Sequence, residues 1–135
     1  MATHLLDTSV CSQPLKKRPV MAALRRWQQL GDARCTTTAV CTAEIEWGLH
    51  KLSSQRHWQI YHGVLQPGLV VICPDAEAWS RFALMKARQH QLGRPIADLD
   101  LIIAAVAVQR DLILATLDAR HFALVEGLRW EDWSK

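Results

Sequence analysis

Residues 95–118 read PIADLDLIIAAVAVQRDLILATLD. Pro95-Ile96-Ala97-Asp98 carries the signals of a helix start, with Asp98 as the expected N-cap, and Leu99 to Gln109 is then almost wholly apolar. A helix with so little polar face must be buried on most sides. Leu112-Ile113-Leu114-Ala115-Thr116 follows as a buried strand, and Asp118 stands just past its end. A buried helix feeding a buried strand is a building unit of an α/β layer fold.

The same alternation extends outward from this unit. His4-Leu5-Leu6 reads as strand one and ends in Asp7-Thr8-Ser9, residue types that leave a strand for a turn or helix cap. Pro19, then Leu24, Trp27 and Leu30 at helical spacing, then Gly31, predict an amphipathic helix whose outer face carries Arg25 and Arg26. A strand over Arg34 to Thr37 leads into a helix with the stripe Ile45, Leu49 and Leu52, and Glu44 lies early in it. Trp58, Tyr61 and Leu65 mark a third helix, which Pro67-Gly68 ends before the strand Leu69 to Ile72. Asp75 suits the cap of a long helix with the stripe Ala78, Phe82, Met85, Gln89 and Leu92, stopped by Gly93. A last short strand is expected near Leu128 to Trp130. Strands alternating with helices predict an α/β fold with a mostly parallel central sheet, in one domain over residues 1–135.

At 135 residues, half of them apolar, one core is sustainable without metal or disulfide staples. Cys11, Cys35, Cys41 and Cys73 form no C-x-x-C pair and are expected as buried free thiols. Met1 to Asp7 shows no signal peptide, so a cytoplasmic location is expected. Leu101 to Val108 is far shorter than the roughly 20 residues of a membrane span. The net charge is +3, but the acids are unevenly placed. If Asp7, Glu44, Asp98, Asp100 and Asp118 share one site, only eight of the 13 acids remain against 16 basic residues. A cationic shell around an anionic pocket suits a polyanionic substrate cut at a metal, although a solvated basic surface has the same composition.

In parallel sheets, ligands bind beyond the carboxyl ends of the strands, where Asp7 and Asp118 are expected. Gathered carboxylates repel one another unless a cation neutralises them. Mg²⁺ or Mn²⁺, which favour oxygen ligands and retain water, can also activate water for phosphodiester hydrolysis. Structural readings stand beside the functional ones. Asp7 and Asp118 suit turns, Glu44 suits a solvated helix face, Asp98 a helix cap, and Asp100 the positive end of a helix dipole.

Together, Leu5-Leu6-Asp7-Thr8-Ser9, Thr42-Ala43-Glu44-Ile45-Glu46-Trp47-Gly48, Gly93-Arg94-Pro95-Ile96 and Asp100-Leu101-Ile102-Ile103-Ala104-Ala105 resemble the PIN-domain ribonucleases, more narrowly the VapC toxins of bacterial toxin–antitoxin pairs. Thr116 to Phe122 and Gly127 to Trp133 extend the resemblance over almost the whole chain. It implies a three-layer α/β/α sandwich, a divalent Mg²⁺ or Mn²⁺ ion, an RNA substrate, homodimerisation and inhibition by a small VapB-like antitoxin. Carried over by position, it implies catalytic roles for Asp7, Glu44, Asp100 and Asp118, with Asp7 and Asp100 on the metal. Thr8, Ser9, Thr116 and Asp98 are expected to support the site. Ser9 stands where the family commonly has Asn.

Lys16, Lys17, Arg18, Arg25 and Arg26 are candidate RNA phosphate contacts. Trp27, Trp47 and Trp58 are candidates for an antitoxin groove, or for the core. His50, His57, His62, His90 and His121 show no paired metal spacing and receive no catalytic part. A competing reading is a nuclease-silent binding module acting with its antitoxin in DNA-bound autoregulation. A phosphoacceptor receiver domain would need an acidic pair after strand one and a late reactive lysine, neither of which is evident.

Overall fold

A computed structural model describes residues 1–135 and contains a single five-stranded sheet. The strands are β1 (His4–Leu6), β2 (Cys35–Thr38), β3 (Val70–Ile72), β4 (Ile113–Thr116) and β5 (Trp130–Asp132). Every neighbouring pair is parallel, so the sheet is wholly parallel, in the order β3-β2-β1-β4-β5. Parallel neighbours require crossovers, and helices supply them. Between β1 and β2 lie α1 (Thr8–Cys11) and α2 (Met21–Leu30); between β2 and β3, α3 (Ala39–Leu52) and α4 (Gln55–Ile60). Between β3 and β4 lie α5 (Ala76–Gln91) and α6 (Asp98–Gln109), and α7 (Ala119–Phe122) precedes β5.

The chain builds outward from β1 to β3, then returns to set β4 on the other side of β1. The crevice between the carboxyl ends of β1 and β4 is therefore the switch point of the sheet, the usual ligand position in such folds. Next to it, α6 is buried continuously from Leu101 to Ala107. It packs against α5, α3 and β4, which accounts for its lack of a polar face. No helix is long and apolar enough to cross a membrane.

Several local expectations are corrected. Asp98 does not cap α6: Ala97 occupies that position without a side-chain bond, and the Asp98 carboxylate sits 3.0 Å from Lys86 Nζ on α5. The cap roles of Asp7, Thr38 and Asp75 are filled by their own side chains, which accept from the N–H groups of Val10, Cys41 and Ala78. The α3 stripe is Cys41, Ile45 and Leu49, whereas Leu52 is 60% exposed. β5 runs two residues later than expected, taking in Glu131 and Asp132. At this sheet edge the acids find partners: Glu131 accepts from His4 Nε2 at 2.9 Å and from the buried Trp133 Nε1 at 3.1 Å. Trp27 belongs to the core, with Nε1 donating to Asp32. Cys73 is exposed while the other three thiols are buried, and all four are free.

Candidate active site

Asp7 leaves β1 in extended conformation and enters α1, with only 5% of its surface exposed. Its Oδ1 accepts from Ser9 Oγ at 2.6 Å and Val10 N at 3.1 Å, and its Oδ2 accepts from Thr116 Oγ1 at 2.6 Å. These donors favour the charged form, but burial outweighs them and raises its pKa to about 6. The nearby Asp100 adds to the rise.

The donors also link two strand ends. Ser9 Oγ accepts from Leu117 N at 3.0 Å, and Thr116 Oγ1 accepts from Asp118 N at 2.9 Å. The backbone beyond β4 is thus tied through two hydroxyls to the carboxylate beyond β1. The Ser9 hydroxyl supplies both a donor to Asp7 and an acceptor for Leu117, so it is engaged within the protein.

Glu44 reaches the crevice from the second turn of α3, where Thr8 Oγ1 donates to its Oε1 at 2.7 Å. Asp100 arrives from the first turn of α6 and is half-buried. Burial raises its pKa first, with further increases from Glu44 and Asp118 and a partial offset from His121. Asp118 stands two residues past β4. These four acids line one cavity of about 330 Å³ together with Thr8, Ser9, Ser12 and Lys16, closed on one side by Ile103 and Phe122.

His121 was not expected here. Its Nδ1 lies 3.2 Å from Asp118 Oδ2 and 3.8 Å from Asp100 Oδ2. A search for paired histidines misses it, because its partners are carboxylates. The available signal is its position three residues after Asp118, which places it one turn along α7.

The residues in this cavity bear on the kind of ion it suits. No three acidic, histidine or cysteine side chains converge as a ready-made metal cage. The donor set is nonetheless mostly hard oxygen, and burial and mutual repulsion penalise charge on Asp7 and Asp100. That combination fits Mg²⁺ or Mn²⁺, which bind through one or two carboxylates and complete their shell with water and phosphate oxygens. It does not resemble a thiolate or multi-histidine zinc site.

The remaining expected residues divide. Thr8, Ser9 and Thr116 hold the carboxylates, whereas Asp98 is diverted to Lys86. Lys16 lines the cavity and Lys17 an adjoining groove. Arg18, Arg25 and Arg26 line neither. Arg26 instead lies near Glu131 and Asp132, whose pKa values are lowered chiefly by hydrogen bonds from Trp133 and His4 and from Ser134, with Arg26 adding the least. Trp47 is 65% exposed with Lys51 Nζ 3.8 Å from its ring centre, and Trp58 stacks on His62.

Comparison with known proteins gives one consistent picture. The PIN domain family matches residues 4–128. A tRNA(fMet)-specific endonuclease VapC of Shigella flexneri is 31% identical over 135 residues, spanning 99% of this chain and 100% of the relative. Ribonuclease VapC1 of Haemophilus influenzae (strain R2866) is 28% identical over 134 residues, spanning 98% of each. The crystal structure of DNA-bound VapBC from Salmonella typhimurium contains a chain that superposes with a TM-score of 0.88 at 27% identity, covering 98% of this chain and 99% of that one.

Proposed function

The chain belongs to the PIN domain family, in its VapC group, and from that premise we propose that it is an endoribonuclease toxin hydrolysing RNA phosphodiester bonds with water. The observation that carries the reading is the meeting of Asp7, Glu44, Asp100 and Asp118, from four separate stretches of chain, in one cavity at the switch point of the sheet.

Asp7 and Asp100 are the residues that would hold Mg²⁺ or Mn²⁺. When bound, such an ion neutralises the carboxylates and lowers the pKa of water near the phosphate. Thr8 fixes one oxygen of Glu44, leaving the other to accept a proton from the attacking water. Ser9 and Thr116 keep Asp7 aimed into the crevice. His121 stands 3.8 Å from Asp100 and 3.2 Å from Asp118, where its ring orients both carboxylates. Lys16 and Lys17 neutralise backbone phosphates at the entrance.

The likeness to a chain of a DNA-bound VapBC complex supports a VapB-like antitoxin as partner, and homodimerisation, inhibition by that antitoxin and a cytoplasmic location are proposed with it. The test is RNA cleavage by purified protein with Mg²⁺ or Mn²⁺, with EDTA, and with Asp100→Asn. Cleavage should require the ion and vanish in the variant, which keeps its fold. Cleavage at the wild-type rate by Asp100→Asn, or undiminished cleavage in EDTA, would overturn the assignment.

A further inference from the structure

A second concavity, of about 500 Å³, adjoins the carboxylate cavity and shares Thr8, Ser12, Lys16 and Glu44 with it. Its floor is apolar, built from Leu15 and from Ile45 and Leu49, which are nearly fully buried in α3. Lys16, Lys17 and Lys51 stand around it, and none of the three is ion-paired with a carboxylate. An apolar floor under a cationic rim complements a ligand that is flat and apolar in its body and anionic along its backbone.

Gly48 sharpens the case. It lies one helical turn beyond Glu44 and lines the groove. Its backbone is not in the left-handed region, and a Cβ placed there would meet no atom within 4 Å. Neither turn geometry nor close packing within the chain explains it. Glycine inside a helix is destabilising relative to alanine, and its use here leaves the floor open beside a proposed catalytic acid.

We propose that this groove seats one unpaired nucleotide of the RNA next to the bond that is cut. The base lies on the floor at Gly48, and the flanking phosphates meet Lys16 and Lys17. The assignment rests on the ribonuclease reading. A polyanion is favoured over a peptide because the rim is cationic and the groove runs directly into the proposed phosphate site.

The test uses the cleavage-blocked Asp7→Asn protein as parent, a fluorescent short single-stranded RNA, and inorganic polyphosphate as a probe with charge but no bases. Gly48→Met, which fills the groove, should weaken RNA binding by about tenfold, a loss on the order of 1.4 kcal/mol. It should leave polyphosphate binding unchanged and the melting temperature no lower than the parent's. Leu52→Gln, at an exposed groove position, should weaken RNA alone by a smaller factor, whereas Lys17→Gln should weaken both ligands. The proposal is overturned if Gly48→Met binds RNA as the parent does, or if it loses both probes equally. If the parent binds no RNA and the wild-type protein cuts none, the ribonuclease reading falls with it. Wild-type cleavage combined with unaltered RNA binding by Gly48→Met removes the subsite alone.

Discussion

Replacing Asp7 by asparagine should stabilise the metal-free protein at neutral pH. The carboxyl is buried and its pKa is raised from 3.8 to about 6. Between those values the folded state keeps a proton that the unfolded state has released, so stability falls as pH rises through that window and is level above it. A shift of about two units corresponds to about 3 kcal/mol lost by neutral pH relative to acid. Asparagine carries no charge to desolvate. It still accepts from Ser9 and Val10, but it turns an amide toward the Thr116 hydroxyl, whose proton then needs another acceptor. That mismatch costs about 1 kcal/mol. Near pH 7.5 in EDTA, urea denaturation followed by tryptophan fluorescence should show the variant about 2 kcal/mol more stable than wild type. Below about pH 4 the order should reverse, because the native carboxyl is then neutral. The reasoning fails if the variant is the less stable protein at both ends of the range, with an unchanged difference between them. Mg²⁺ should narrow the gap at neutral pH by stabilising wild type alone.

Two further outcomes follow from the same network. Ser9→Ala removes the acceptor for Leu117 N and a donor to Asp7, so urea denaturation should register a loss of about 1–3 kcal/mol from the uncoupled strand ends. Equal stability would show that water replaces the hydroxyl. His121→Ala removes the imidazole whose nearby charge, when protonated, lowers the Asp100 pKa. In the metal-free protein, a carboxyl titration followed by NMR should place Asp100 higher in the variant, and an unmoved curve would refute that influence.

Much of the fold follows from local chemistry. The apolar run of α6, the short branched strands, and the caps at Asp7 and Asp75 are legible because propensity, periodicity and capping act over a few residues. Those same signals place Asp7 and Asp118 just beyond strands and point to the carboxyl edge of a parallel sheet. They mislead where the surroundings prevail: α6 begins at Asp98 itself, which leaves Ala97 at the cap and the Asp98 carboxylate free to pair with Lys86, and His4 and Trp133 help hold Glu131 within an edge strand.

Local chemistry along the chain thus sets the elements and places the acids at their ends. The tertiary structure decided which ends meet. The return of β4 to the side of β1 lets Thr116 bond Asp7 across 109 positions and brings Leu117 to Ser9. This closure helps bury Asp7 and so raise its pKa, and it sets His121 against the carboxylates. Desolvation and charge coupling depend on everything packed around a group, so neither can be read from its neighbours in the chain.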